Sequence, residues 1–348
     1  MPDRVADLPP LEELLHEAVA VSLPMRTRFR GQAVREALLL RGPAGWAEFA
    51  PFPEYGAEES SAWLAAAAEA GWTGLGAPLR GSVPVSATMP AVAADRVPEV
   101  LARYGDGITT VKIKVAEPGQ GADDDVARVS AVVHQLPGVS VRVDANAGWD
   151  VAEAAAVLPR IAEAAHGRLE YAEQPVPGVE GLARLREALH AAGHSVRIAA
   201  DEAVRKAEDP LRVARLGAAD LLVLKVPPLG GVRRALDLVE QAGLPVVVSS
   251  ALDTSIGLTA GLALASRLPQ LPYACGLGTV TLFEHDVVGS PLLPADGRLG
   301  VPVRDGVIAA PEPDPELVGR ARLGPERQAW WFDRVRAAHR VLASRMLE

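Results

Sequence analysis

The chain has 348 residues, 49% hydrophobic and 23% charged, with a formal net charge of −9. That is enough for one large folded unit, or a large and a small one, of ordinary soluble composition. The negative balance excludes the basic footprint of a nucleic-acid binder and docking on an anionic membrane surface, which leaves a small molecule as the expected partner.

In chain order, "MPDRVADLPPLEELLHEAVAV" carries acids and no long apolar run, so neither a signal peptide nor a membrane span is expected and the cytoplasm is the expected compartment. "FRGQAVREALLLRGPAGWAEFAPFPEYG" reads as two strands joined by a Gly/Pro turn, and "EESSAWLAAAAEAGW" as an N-capped helix. From residue 83, eight β-branched runs follow: "VPVSATM", "ITTVKIKVA", "VSVRVDAN", "RLEYAEQP", "VRIAADE", "ADLLVLKVPP", "LPVVVSSAL" and, less regular, "PYACGLGT". Between them lie one-sided helical segments such as "DDDVARVSAVVHQL" and "DVAEAAAVLPRIAEAA". This alternation predicts a parallel barrel ringed by helices, and roughly 215 residues suffice for one. An open doubly wound sheet is the alternative, but no Gly-rich dinucleotide fingerprint follows an early strand. After residue 300, "GVPVRDGVIAAP" predicts a strand or hairpin and "GPERQAWWFDRVRAAHRVLASRM" a terminal helix. The expected division is a capping unit over 1–82, a barrel over 83–300, and a segment over 301–348 that packs with the capping unit. The one cysteine, Cys275, excludes an internal disulfide, and no Cys/His cluster has structural-zinc spacing.

Lysine is rare. Of 35 basic residues only Lys112, Lys114, Lys206 and Lys225 are lysine, and three of the four lie in strongly apolar, strand-like runs. Lys112 and Lys114 are two apart, so a strand sends both to the same face. Arginine stays protonated, whereas a lysine amine loses its proton when its surroundings disfavour the charge. The pattern points to a titratable amine inside the fold; the alternative is that these lysines snorkel from strand ends or pair with buried acids.

Chemistry in a parallel barrel sits at the C-terminal ends of its strands. There the sequence sets Lys112 and Lys114 on the second run, and Asp144 and Asn146 on the third, with Arg142 two residues before the acid. The fourth run ends in Glu173 and Gln174, the fifth in Asp201 and Glu202, the sixth in Lys225. Any one of these acids is explained as a helix cap or a lysine partner. Asp144, Glu173 and Asp201, one per βα unit at spacings of 29 and 28 residues, point instead to a hard cation such as Mg²⁺. Such a cation on a substrate carboxylate stabilises the enediolate formed when the adjacent proton is removed. The base for that step needs a pKa lowered from about 10.4 toward about 7–8, and a neighbouring ammonium group pushes it that way. Alternation along the strand does not choose between Asp201 and Glu202 as the third ligand.

K-x-K, D-x-N, E-Q-P, D-E and Lys on successive strands resemble the muconate-lactonizing-enzyme subgroup of the enolase superfamily, for which lysine bases with Mg²⁺ are known. Within it, "VSLPMRTRFRG", "GWAEFAPFPEYG", "RVDANAGW", "EYAEQPV", "IAADEAV", "LKVPPLGG" and "SSALDTSIG" are most similar to the o-succinylbenzoate synthase family, dehydratases of menaquinone biosynthesis. The resemblance covers the whole chain and implies a TIM-type (β/α)7β barrel with an α+β capping domain built from both termini. It implies Mg²⁺ on Asp144, Glu173 and Asp201, with Asn146 and Glu202 beside them. It also implies a syn-dehydration of 2-succinyl-6-hydroxy-2,4-cyclohexadiene-1-carboxylate to 2-succinylbenzoate, through a metal-stabilised enediolate with Lys114 as base and then acid. Lys225 would stabilise the enediolate, and Lys112 would lower the pKa of Lys114 and contact the carboxylate. Arg142 would support the ring of charges or form an inert buried ion pair.

Ser249 and Ser250 are candidates to hold the succinyl tail, or caps for the next helix. Gly276 and Gly278 are candidates to offer N–H groups to a carboxylate, or parts of a tight turn. A His base near the seventh strand and a D-x-D after the eighth, features of mandelate-racemase-like members and dipeptide epimerases, are missing from "SSALDTS" and "CGLGT". The rival reading is an N-succinylamino acid racemase that uses Lys114 and Lys225 on opposite faces of the alpha carbon. A more distant one is a barrel that binds a metabolite without chemistry.

Overall fold

The computed structural model describes residues 8–29, 31–205 and 209–347, so Lys206 lies outside the described residues. Near the N-terminus, β1 (Val19–Phe29), β2 (Gln32–Gly42) and β3 (Gly45–Phe49) form an antiparallel sheet in that order. The sequence predicts only the latter two. β1 alternates apolar and polar residues but carries Pro24, which fits a strand only at an edge, and here it is one: the pairing with β2 becomes irregular after Pro24.

The following helix, Ala57–Ala68, has Gly56 at its N-cap position without a side-chain cap, and it runs into a single wide turn over Glu69–Thr73. Helix Pro325–Arg345 packs on it and on the sheet. Trp331 is fully buried there, edge-on to Phe49 with ring centroids 6.0 Å apart, and its Nε1 donates to Glu36 at 3.0 Å. Leu23, Leu38, Phe49, Trp63, Trp331 and Val335 thus share one core drawn from the two ends of the chain.

β4 (Ser82–Pro84) pairs with residues 298–300. The barrel follows: β5 (Ala87–Met89), β6 (Thr110–Lys114), β7 (Ser140–Asp144), β8 (Leu169–Glu173), β9 (Ile198–Ala200), β10 (Leu221–Leu224) and β11 (Val246–Val248). They pair in chain order and in parallel. These strands read as apolar runs because helices cover their outer faces while the ring buries their inner ones. The eighth run closes the ring through two residues. Cys275 bridges Val85 and Gly276 bridges Ser249, with Cys275 N–H on Pro84 O at 2.8 Å and Gly276 N–H on Val248 O at 2.8 Å. Residues 303–304 and 307–308 make the small hairpin expected after residue 300. Among the described residues no helix is long and apolar enough to cross a membrane.

One irregularity places the chemistry. β7 and β8 pair Val141 with Leu169 but Arg142 with Tyr171, so Glu170 is an extra residue on β8. A slip of one residue exchanges the two faces of a strand. Because of it Glu173, and not Ala172, stands opposite Asp144.

The sheet and the barrel meet across buried polar groups. Glu48 on β3 accepts hydrogen bonds from Thr254 N at 3.1 Å and from Thr254 Oγ1 at 2.5 Å. Burial, then the nearby Asp253 carboxylate, push the Glu48 carboxyl up to about 8, against the pull of Thr254 and Arg35. An acid whose folded pKa lies above its unfolded value stabilises the fold fully below the unfolded value, and that contribution is lost as pH rises through the folded one. Glu48→Gln, neutral throughout, is therefore expected to melt increasingly above the wild type as pH is raised from about 4.5 to about 8. Thermal melts of both proteins at pH 5 and pH 8.5 check this, and a difference that does not change with pH would refute it.

Candidate active site

Strand alternation places the candidate carboxylates and lysines. Tyr171, Ala199, Leu221, Val223 and Val247 form a small apolar cluster inside the ring. Two residues further along their strands come Glu173, Asp201, Lys225 and Ser249, all buried. Asp201 shares the inward face of Ala199 and is fully buried, while Glu202 begins a short helix. On the other side of the acids, Lys112 and Lys114 enter the same interior, as two residues of one strand must.

The charges interlock. Lys112 Nζ donates to Asp144 Oδ2 at 2.9 Å and to both Glu173 oxygens at 3.1 Å. Lys114 Nζ donates to the same Asp144 Oδ2 at 2.5 Å and to Asn146 Oδ1 at 2.5 Å. Across the ring Lys225 Nζ donates to Asp201 Oδ2. Asn146 Nδ2 in turn donates to Glu202 Oε1 at 3.3 Å, which links Lys114 on β6 to the residue after Asp201.

Burial works against the charge on Asp144, but Lys112, Lys114 and Lys225 together outweigh it and hold its carboxyl well below the usual range. Burial opposes the charge on Asp201 as well, and Lys225 followed by Arg205 brings it down to about 2. Glu173 goes the other way. Burial and repulsion from Asp144 raise it to about 7, with Lys112 and Lys225 offsetting only part. Burial also disfavours the charge on Lys112, yet Asp144 and Glu173 raise its pKa overall.

Lys112, Lys114, Lys225, Asp144, Asn146, Ser249, Ser250 and Gly276 wall one cavity of about 20 Å³, room for about one water as the side chains stand. Gly276 belongs there for a steric reason, since a Cβ would stand 2.7 Å from Ser249 Oγ. Ser249 Oγ donates to Gly276 O at 3.3 Å, and Ser250 Oγ lies 2.6 Å from Thr279 Oγ1. Gly278 packs against Ser86 and Tyr104 instead. Arg142 lies one layer below, where its Nε donates to Glu170 at 2.6 Å, its Nη1 to Ala274 O at 2.6 Å, and its guanidinium stacks 4.9 Å from the Tyr171 ring. Arg142 is thus held in an ion pair with the partly exposed Glu170.

Several wall residues escaped the sequence reading. Phe29, at the end of β1, holds its ring 5.1 Å from Lys114 Nζ, and Thr88, Ala251, Leu252 and Thr279 complete the wall. Arg205 donates to Asp201 Oδ1 at 3.0 Å, to Glu202 Oε1 at 2.6 Å and to the Tyr55 hydroxyl of the N-terminal unit at 2.9 Å. Its spacing of four from Asp201 on a helix start was a signal within reach.

Residues 93–313 match the family described as Enolase C-terminal domain-like, and residues 20–71 match Enolase N-terminal domain-like. The chain is 52% identical over 344 residues to the o-succinylbenzoate synthase of Mycolicibacterium smegmatis, covering 96% of this chain and 99% of that protein. It is 50% identical over 335 residues to the one of Mycobacterium tuberculosis, covering 96% and 97%. The chain belongs to the o-succinylbenzoate synthase family of the enolase superfamily. Among solved structures, muconate lactonizing enzyme from Pseudomonas fluorescens aligns with a TM-score of 0.72 at 21% identity, over 88% of this chain and 98% of that one. The L-Ala-D/L-Glu epimerase from Bacillus subtilis aligns at 0.70 and 20%, over 85% and 98%. At such identities these two structures speak for the fold, a TIM-type barrel with a separate N-terminal unit.

Members of the enolase superfamily bind a divalent metal. Among the described residues no three His, Cys, Asp or Glu side chains are grouped so as to hold one as they stand; ammonium groups lie among the carboxylates instead. The donor set nevertheless fits a hard cation. It offers only oxygen ligands, on three adjacent strands, and the raised Glu173 carboxyl marks buried negative charge that the lysines do not fully relieve.

Proposed function

We propose that the chain is a Mg²⁺-dependent o-succinylbenzoate synthase, a hydro-lyase that converts 2-succinyl-6-hydroxy-2,4-cyclohexadiene-1-carboxylate to 2-succinylbenzoate and water in menaquinone biosynthesis. The observation that carries this is the 50–52% identity to proteins of that name over nearly the full length. In this reading the capping domain spans 1–82, the barrel 83–300, and 301–348 packs with the cap.

Asp144, Glu173 and Asp201 would hold the cation, which when bound supplies positive charge beside the substrate's carboxylate. Lys114, as the free amine, takes the proton alpha to that carboxylate, and the electron pair passes into an enediolate. The C–O bond to the ring hydroxyl then breaks on the same face. The same Lys114 ammonium gives its proton to the departing hydroxide, so water leaves and the ring becomes aromatic. Lys225, reaching in from β10, faces the opposite side and stabilises the developing charge. Lys112 balances Asp144 and Glu173 from below, and Ser249 and Ser250 lie where the succinyl tail would rest.

Wild-type protein with Mg²⁺ is expected to form 2-succinylbenzoate from this substrate, followed by the absorbance of the aromatic product, and to stop when the metal is chelated. No product from folded, Mg²⁺-loaded protein would overturn the reading. A second reading, N-succinylamino acid racemase, is favoured by one feature: Lys114 and Lys225 wall the same cavity from strands on opposite sides of the acids. It requires deuterium from solvent to enter the alpha position of an N-succinylamino acid, and fails if none does.

A further inference from the structure

The wall of the cavity after β11 is held in place by the N-terminal sheet. Leu252, buried and on the cavity wall, has φ 63°, a left-handed conformation that a branched side chain adopts only when its surroundings impose it. Arg35 on β2 supplies those surroundings. Its Nε donates to Leu252 O at 3.0 Å and its Nη2 to Ala251 O at 3.3 Å and to Ala50 O, while its guanidinium lies 4.5 Å from the centre of the Phe52 ring. The side chain is buried, so the fork is fixed on both sides, by the sheet and by the loop. Two residues on, Glu48 grips the backbone N–H and hydroxyl of Thr254, whose Oγ1 caps helix Ser255–Arg267 through Ile256 N at 3.2 Å.

We infer that Arg35, with Glu48 in support, is a positioning residue that sets the shape of the substrate-binding wall formed by Ser249, Ser250 and Leu252. Neither side chain is among those that wall the cavity; both act through the loop backbone. The inference rests on the proposed function only in that this wall holds the non-reacting part of the substrate. Where contacts to that part are made equally in ground and transition states, their loss raises KM and leaves kcat nearly unchanged.

The test uses the full chain with Mg²⁺. Arg35→Met is expected to raise KM for 2-succinyl-6-hydroxy-2,4-cyclohexadiene-1-carboxylate about tenfold with kcat within about threefold of wild type, and Arg35→Lys to recover part of the loss. Amide hydrogen exchange of residues 250–256 should quicken about tenfold or more while β6–β8 keep their protection. Glu48→Ala should show the same loop-confined change, and it serves as the readout if Arg35→Met does not fold. Loop exchange unchanged in the folded variants, or a fall in kcat with KM unmoved, would overturn the inference. If the wild type turns over no substrate, the functional reading fails, while the exchange data still decide whether the sheet shapes this loop.

Discussion

Lys114→Ala is expected to lower turnover by about four orders of magnitude, the upper range for one group acting as both base and acid. The fold should survive. Asp144 keeps Lys112 at 2.9 Å when Lys114 is removed, so no buried carboxylate is stranded without a partner. Circular dichroism and a thermal melt establish folding, and product absorbance at saturating substrate and Mg²⁺ measures the loss. Turnover within tenfold of wild type would remove Lys114 from the chemistry and revive the barrel that binds without reacting. Abolished dehydration in Lys114→Ala, with Lys225→Ala retaining slow dehydration, would agree with one lysine serving both proton transfers.

Glu173→Gln should uncouple metal response from folding. The wild-type carboxyl sits buried beside Asp144, and burial with that repulsion pushes it up to about 7. A raised acid stabilises the fold below its unfolded value and loses that contribution as pH rises through about 7, so at pH 8 a neutral isostere relieves the metal-free protein. The metal-free variant is therefore expected to melt no lower than wild type at pH 8. A cation that binds only the folded state raises the melting point by mass action, and the variant should lose most of that rise, along with about a hundredfold or more in activity. Equal Mg²⁺-induced shifts in the two proteins would take Glu173 out of the ligand set.

Much of this architecture was legible because parallel strands buried on both faces leave unbroken apolar runs, and because a strand sends every second residue the same way. Lys112 and Lys114 were assigned to one interior on that ground alone, and their ammonium groups share Asp144 Oδ2. The extra residue at Glu170 was not legible. Nothing in "RLEYAEQP" announces a bulge, and strict alternation puts Leu169, Tyr171 and Glu173 on one face, whereas Leu169 packs with the outer core and Tyr171 with the inner one. The resemblance implies that Lys112 lowers the pKa of Lys114 and contacts the carboxylate; pairing with buried acids is the alternative, but which acids depends on that bulge and cannot be read from spacing. Phe29 and Arg35 were hidden for another reason. They reach the barrel by tertiary packing of a separate sheet, and local periodicity carries no trace of it.

The core that joins the two ends of the chain cannot be completed during synthesis until the C-terminal helix has been made. Glu36 waits for Trp331, 295 residues downstream, and until helix Pro325–Arg345 emerges the face of the sheet that it covers stays open to water. Closing so long a loop costs entropy that local contacts cannot offset at the start. The barrel, built from neighbours in the chain, can ring itself first, with Cys275 and Gly276 as its last stave, and the N-terminal sheet can finish only afterwards. The loop tethered to Arg35 and Glu48 depends on that same sheet, so the wall beside Ser249 and Ser250 is finished no earlier than the sheet that holds it.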